Sequence, residues 1–190
     1  MSCDNRANIL HHALRLFAAR GYDAVGVQEI VEAAGVTKPT LYHYFGSKRG
    51  LLDALLTGYF EPLHRLIWPA AEYRGDLPLT LTQIAAAYFR FARENPAFYR
   101  MQLSMYFAPP ESDSFQAVIR LREKQHHLLE NLFLCAAEQH GNMKGRQQRY
   151  AITFQGMIDT YIGLSLNGYT TLNNETLYQA IHQFMHGIFS

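Results

Sequence analysis

The sequence predicts an all-α protein of about nine helices, in which a three-helix N-terminal domain is joined by the fourth helix to a C-terminal helical bundle. Apolar residues recur every three or four positions along most of the chain, which is the period of one helix face. Proline interrupts this pattern where helices are expected to end, as at Asn95-Pro96 and Pro109-Pro110. No segment alternates apolar and polar residues as an exposed strand would.

The composition is that of a globular chain without a membrane segment. The 190 residues are 48% hydrophobic and 17% charged, and no apolar run approaches the ~20 residues that cross a bilayer. The first residues lack the apolar segment of a signal peptide. Cys3 and Cys135 are too few for a disulfide framework. These features predict a cytoplasmic protein with no membrane partner.

Charge gives only weak support for a nucleic-acid partner. The net charge is +1 and the sequence pI is about 7.9, whereas nucleic-acid-binding domains often have a pI above ~9. Residues 1–50 carry six basic and four acidic side chains, a local balance of +2. Three of the six basic residues lie between positions 38 and 49, where no acid occurs. A DNA-binding function must therefore rest on a motif.

Two short helices joined by a tight turn supply that motif. The first, Val27–Ala34, has apolar residues at i, i+3, i+4 and i+7, and Gly35 follows where a left-handed residue ends a helix. Thr37 is a good N-cap for the second helix, and Pro39 is tolerated in its first turn. Such a pair is a helix-turn-helix, whose second helix enters the major groove of DNA.

Residues 9–56 resemble the DNA-binding domain of the TetR family of bacterial transcriptional regulators. The Tyr-x-Tyr-Phe-x-Ser-Lys continuation distinguishes this family from LacI-type regulators, which share the Ala-Gly-Val-Thr turn. The resemblance implies a DNA-binding domain over residues 3–63, with its helix-turn-helix at 26–45, and an effector-binding and dimerisation domain over 78–190. The matching residues are Ala13, Phe17, Gly21, Tyr22, Ile30, Ala34, Gly35, Val36, Thr40, Leu41, Tyr42, Tyr44, Phe45, Ser47, Lys48, Leu51 and Leu52.

The motif yields a set of candidate DNA contacts. Thr40 and His43 can hydrogen-bond to base edges, and Pro39 can pack on a thymine methyl group. Tyr42 and Lys48 are expected to hold phosphates, which fix the register without reading sequence. The full set is Gln28, Thr37, Lys38, Pro39, Thr40, Tyr42, His43, Lys48 and Arg49.

The sequence departs from the family at the starts of the second and fourth helices. Gly26 stands where relatives carry threonine or serine, so Gln28 is expected to replace that contact. Arg49 and Gly50 stand where an acid and alanine are common. A helical glycine costs ~1 kcal/mol relative to alanine, and a cation opposes the helix dipole there. A bound DNA phosphate would explain both residues; the alternative is that Arg49 is a solvated surface side chain.

Large apolar side chains are concentrated at residues 84–107 and 154–161. Such stripes usually form core, but they can also line a ligand cavity. The resemblance implies an effector site in this domain, for an apolar or aromatic small molecule. The alternative is a DNA-bound interaction protein that senses no ligand, which the absence of an enclosed cavity would favour. The candidate lining residues are Tyr88, Phe91, Phe98, Met101, Gln102, Met105, Phe154, Met157 and Tyr161.

The last two helices offer a surface for pairing with a second copy, because their small residues allow close approach. The resemblance implies a homodimer built by these helices, and a ligand-responsive repressor that binds a palindromic operator. The alternative is that these faces close the core of the monomer. The candidate dimer residues are Gly156, Gly163, Ile181, Phe184, Met185 and Ile188.

Neither an enzyme nor a cofactor is predicted. The chain has no Gly-x-Ser-x-Gly elbow, no Walker loop and no dinucleotide-binding glycine motif. His182 and His186 have a spacing that can bind a metal, but no cysteine or acid completes the set. A surface or interface role is therefore expected for this pair.

Overall fold

The computed structural model describes residues 4–187, and 80% of these residues are helical. Within residues 4–187 there are nine α-helices and no strand, which confirms the predicted all-α fold. Every helix in this range is too short or too polar to span a bilayer. A 3-10 turn, Gly141–Met143, precedes α8. The helices are α1 (Asn5–Arg20), α2 (Val27–Ala34), α3 (Lys38–Phe45), α4 (Lys48–Ala70), α5 (Leu77–Glu94), α6 (Pro96–Tyr106), α7 (Asp113–Gln139), α8 (Gln147–Leu166) and α9 (Asn174–His186).

Short polar side chains define where several helices begin. Asp4, Asp76 and Asn173 accept hydrogen bonds from backbone N–H groups two or three residues later, at 3.1, 2.9 and 2.8 Å. These bonds satisfy amides that have no partner within the helix. Gly35 ends α2 in the left-handed conformation, with φ of 64°, as its position predicts. The turn that sets α3 against α2 is thus specified by local sequence.

The chain divides into two compact units by contact. The first contains the described residues up to Glu61 together with Pro96–Leu121, and the second contains Pro62–Asn95 and the described residues from Arg122 onward. The sequence places region 96–121 in the effector domain, but this region packs with the first unit. The assignment of residues 3–63 to DNA binding and of 78–190 to effector binding and dimerisation stays a prediction. Cys3 and Ile188 lie outside the described residues.

The first unit is built around α1, which packs against α2, α3 and α6. Its apolar face, Ile9, Ala13 and Phe17, is completely buried. Asn8 Nδ2 also donates a hydrogen bond to the carbonyl of Ala34 at 2.6 Å, which holds the end of α2 against α1. An eight-residue helix such as α3 is not stable alone. Burial of Leu41, which contributes about 1.5–3 kcal/mol, holds it in place.

Gly50 is required by the corner between α3 and α4. A Cβ atom at this position would lie 2.0 Å from the carbonyl oxygen of Phe45. Ser47 caps the new helix, since its Oγ accepts from the amide of Gly50 at 2.9 Å. The close approach of the Phe45 carbonyl therefore explains Gly50 without a bound phosphate, which the sequence suggests as its reason.

Alanine is expected to have opposite effects at two glycines of α4. Gly50→Ala forces the α3–α4 corner to shift, and overpacking of this kind costs about 1–3 kcal/mol. Gly58→Ala is the matched control, because its Cβ would meet no atom within 4 Å and should stabilise the helix by about 0.5–1 kcal/mol. Urea denaturation of the two variants measures both effects. A Gly50→Ala variant as stable as the wild type would contradict the close approach of the Phe45 carbonyl.

A buried polar cluster lies inside the second unit, where α5 packs against α8 and α9. Arg122 on α7 forms a buried ion pair with Asp159 on α8. The hydroxyl of Tyr88 donates to Gln155 Oε1 at 3.2 Å, and Gln155 Nε2 donates to Asp159 Oδ1 at 3.3 Å. Burial raises the pKa of Tyr88 well above its ordinary value, so this hydroxyl remains a donor.

Candidate nucleic-acid interface

The outer face of α3 presents polar and aromatic side chains to solvent. Leu41 fixes the opposite face, since its exposure is 0%, while the ring of Tyr42 is 45% exposed. Thr40 is half-buried. Five of the predicted contacts therefore share an open surface, and they are Thr37, Lys38, Pro39, Tyr42 and His43.

Three predicted contacts already make hydrogen bonds within the chain. The hydroxyls of Thr37 and Thr40 lie 2.9 Å apart, and Thr37 Oγ1 also accepts from the amide of Thr40 at 3.4 Å. Gln28 on α2 is exposed, and its Nε2 donates to Glu32 Oε1 at 2.6 Å. Thr40 retains a lone pair for a base edge, and Gln28 retains the second N–H of Nε2.

Lys48 and Arg49 are held by acceptors of the protein. Lys48 Nζ donates to the backbone carbonyl of Tyr22 at 2.7 Å and lies 4.1 Å from the centre of the Tyr22 side-chain ring. Arg49 Nε donates to Asp53 Oδ1 at 3.0 Å, and its Nη1 donates to the carbonyl of Asp113 at 3.3 Å. The side chain of Arg49 is 39% exposed and thus binds protein acceptors at the surface. Each side chain keeps N–H donors that these bonds do not use, so the partners restrain where the cation can reach a phosphate.

Partial burial changes the titration of this region. Desolvation lowers the pKa of Lys48, and the carboxylates of Asp23, Asp113 and Glu29 oppose that effect. Burial, reinforced by Asp113, raises the pKa of Tyr22 to about 12. Lys38 differs from Lys48, because it is exposed at the start of α3. Among Lys38, Lys48 and Arg49, Lys38 is thus the cation most open to solvent.

The start of α2 is closed by a carboxylate of the protein. Glu29 Oε1 accepts from the amide of Gly26 at 2.9 Å, and Glu29 also forms an ion pair with Arg20. The Gly26 amide and the Arg20 guanidinium hold the pKa of Glu29 below its usual value. Gly26 therefore has a capping partner three residues later, which the sequence reasoning missed although the spacing is that of a capping box.

A family model supports the geometric assignment. Residues 9–55, which contain most of α1, all of α2 and α3, and the first turns of α4, match the model described as bacterial regulatory proteins, tetR family. This part of the chain is of the TetR type.

Curated relatives match this chain over part of their length. The transcriptional activator FasR of Mycolicibacterium smegmatis is 34% identical over 98 residues, 52% of this chain and 45% of FasR. The transcriptional repressor KstR2 of Rhodococcus jostii is 41% identical over 58 residues, 30% of this chain and 28% of KstR2. The chain thus spans less than half the length of each of these relatives.

Solved structures extend the likeness of fold beyond residues 9–55. The fatty acid degradation regulator FadR of Bacillus halodurans superposes with a TM-score of 0.79, and the match covers 100% of this chain and 98% of FadR. The sequence identity is 16%, so this likeness concerns the fold alone.

The predicted effector residues are divided between the two units. Phe98, Met101, Gln102 and Met105 lie on α6 in the first unit and are buried there. The other five lie on α5 and α8 in the second unit and are Tyr88, Phe91, Phe154, Met157 and Tyr161. The buried residues of both groups serve the cores of their own units, which agrees with the core interpretation of these stripes.

Met157 and Tyr161 lie apart from the buried members of the second group. They line an open groove of about 560 Å³ between α8 and α9, together with Phe184. Tyr88, Phe91 and Phe154 are buried inside the unit. The groove therefore joins residues predicted for two different sites, because Phe184 is a candidate for the dimer interface.

The predicted dimer residues differ in accessibility within the single chain. Ile181 is only 6% exposed and belongs to the monomer core. Phe184 is half-buried, with its ring centre 5.2 Å from that of Phe154. Met185 and Gly163 are half-buried, and Gly156 is exposed. Ile181 thus fits the alternative of a closed monomer core, while Gly156 remains open to a partner.

The histidine pair on α9 stays without a complete ligand set. The rings of His182 and His186 have centres 4.6 Å apart. Within residues 4–187, no group of three histidine, cysteine or acidic side chains is arranged to hold a metal ion.

Proposed function

We propose that this chain is a transcriptional regulator that binds a palindromic operator as a homodimer and responds to a small apolar or aromatic ligand, acting as a repressor. The observation that carries the proposal is the exposed face of α3, which presents Lys38, Tyr42 and His43 on a helix fixed by buried Leu41. A rigid helix with hydrogen-bonding tips is what major-groove recognition requires.

The outward side chains divide into positioning and reading roles. Lys38 and Tyr42 are assigned to phosphates, because an ammonium and a phenol hydroxyl suit charged oxygens. His43 and Thr40 are assigned to base edges, and Pro39 to a thymine methyl group. Gln28 is a further base or phosphate contact from α2.

Pairing through α8 and α9 is supported by exposed residues at a four-residue spacing. Ile152, Gly156, Thr160 and Leu164 form an exposed stripe on α8, and any Cβ atom added at Gly156 would meet open space. Such a stripe permits close approach of a second helix. A homodimer would offer two copies of α3 to half-sites about 34 Å apart, as a palindrome requires.

Ligand response is supported by a buried side-chain oxygen in the apolar interior of the second unit. The second unit buries Gln125 Oε1, which accepts no hydrogen bond from the described residues, and an unsatisfied acceptor of this kind costs about 1–3 kcal/mol. A ligand that donates a hydrogen bond would satisfy it.

The direction of regulation is assigned from the relatives' names. FasR is named an activator and KstR2 a repressor. We assign repression because KstR2 has the higher identity to this chain over its matched segment.

Selection from a random DNA library tests the proposal. Purified protein is expected to enrich an inverted repeat whose half-sites are centred about one helical turn apart, or a multiple of it. Enrichment of no sequence over several rounds would contradict DNA reading by α3. Enrichment of a single, unrepeated site would contradict the homodimer.

Substitution of His43 is expected to relax base preference at one position of each half-site. Loss of a good base contact removes about 1–3 kcal/mol of discrimination. Competition titrations of His43→Ala against operators changed at one base pair measure this effect, with Arg15→Ala on the exposed face of α1 as the control. A His43→Ala protein that weakens binding to all sequences equally would assign His43 to a phosphate.

A further inference from the structure

The first turn of α7 is bonded to the same helix-turn-helix region that carries the DNA contacts. Ser114 is only 2% exposed, and its Oγ donates to Asp23 Oδ2 at 2.6 Å. Asp23 lies in the loop between α1 and α2. These two side chains are 91 residues apart in sequence, so the bond fixes α7 on the α1–α2 loop. We refer to Asp23, Arg49, Asp113 and Ser114 as the α7 junction.

Arg49 makes the second bond of the α7 junction. Its guanidinium bridges Asp53 on its own helix and the carbonyl of Asp113 at the start of α7. Both partners of this bridge belong to the first compact unit. The arginine at the start of α4, beside Lys48, is thus bonded to acceptors of the protein itself.

The acidic side chains of the α7 junction also attract the ammonium group of Lys48. The carboxylates of Asp23 and Asp113 favour the charged form of this ammonium group, whose Nζ is bonded to the Tyr22 carbonyl. Both cations at the start of α4 are therefore held by groups that the α1–α2 loop and α7 supply. A DNA phosphate at this helix N-terminus would compete with the same groups.

We propose that the α7 junction is a positioning device that holds Arg49 toward the first turn of α7 and away from the DNA backbone, so that docking of this turn and a contact between Arg49 and a DNA phosphate compete. The proposal rests on the DNA-binding function proposed above. Asp23, Asp113 and Ser114 then set DNA affinity without touching DNA. Movement of α7 away from the α1–α2 loop raises affinity, and docking lowers it.

Release of the α7 junction is expected to strengthen DNA binding. Ser114→Ala removes the donor to Asp23, and Asp23→Ala removes the acceptor from an exposed side chain. Each should raise affinity for the selected operator severalfold and steepen the log–log salt dependence by up to about 0.9 through the release of Arg49. Adding Arg49→Ala to Ser114→Ala should make the salt dependence shallower again by about 0.9. Simple loss of stability would weaken binding instead.

Fluorescence anisotropy with a labelled operator, between low and physiological salt, measures these slopes. Ser104→Ala is the matched control, because Ser104 lies on α6 in the same unit and its hydroxyl donates within its own helix, to the Met101 carbonyl. Failure of the wild type to bind would reject the proposed function itself. A wild type that binds, with junction variants of equal or lower affinity and unchanged slope, would reject the α7 junction alone.

Hydrogen exchange gives a second readout that needs no substitution. Binding of the operator to the wild type should increase exchange of the amides in the first turns of α7, because the junction opens, while α3 becomes protected. Unchanged or greater protection of α7 upon DNA binding would overturn the proposal.

Discussion

Asp159→Ala is expected to lower the free energy of unfolding by about 3–5 kcal/mol, because it removes the carboxylate that pairs with the buried charge of Arg122. The ion pair lies in the interior of the second unit, where both side chains are buried. Asp159 also accepts from Gln155, so a second hydrogen bond is lost. Urea denaturation followed by circular dichroism measures the change.

Two further variants separate charge burial from loss of packing. Replacing both partners with apolar residues, Arg122→Met with Asp159→Leu, should restore most of the lost stability, since buried pairs are often replaced without cost. Glu72→Ala breaks the exposed pair with Arg74 and should have little effect, as exposed pairs contribute little. An Asp159→Ala protein as stable as Glu72→Ala would contradict the buried pair.

Simultaneous replacement of Lys38 and Tyr42 by alanine is expected to weaken operator binding about a hundredfold or more. Each side chain is assigned a hydrogen bond to a charged phosphate, and such bonds contribute about 1.5–3 kcal/mol. Loss of the Lys38 charge should also flatten the log–log salt dependence by about 0.9. Gel-shift titration at several salt concentrations measures both quantities.

The control for this pair must remove a similar charge outside the interface. Arg15→Ala changes an exposed arginine of α1 and is expected to bind the operator with nearly wild-type affinity. The double variant should also keep the wild-type unfolding transition, because Lys38 and Tyr42 are exposed. Unchanged affinity in the folded double variant would remove both residues from the interface.

Local signals account for the parts of the fold that the sequence predicts well. Gly35, Thr37 and Ser47 determine helix ends through contacts within a few residues, so their roles can be read along the chain. The buried faces of α1 and α2 likewise follow from helical period alone. This explains why the helices of the helix-turn-helix lie where the sequence predicts them.

The parts that the sequence could not predict depend on distant partners. Arg49 bonds to a residue 64 positions away, and Arg122 to one 37 positions away. Periodicity identifies an apolar face on α6, but it cannot show that the face packs in the first unit. For this reason the predicted effector set combines residues of α5, α6 and α8. The reason for glycine at position 50 could be found only from the position of the Phe45 carbonyl, which belongs to α3 and not to α4.

The most direct measurement of DNA reading by α3 is site-specific photo-crosslinking from position 43. A photoreactive phenylalanine analogue replaces His43, and the complex with the selected operator is irradiated and mapped at base resolution. We expect crosslinks to bases of the major groove at one equivalent position in each half-site. The same analogue at Arg15 should give no base crosslinks. Crosslinks to neither half-site from position 43, with operator binding retained, would contradict the assignment of α3 as the recognition helix.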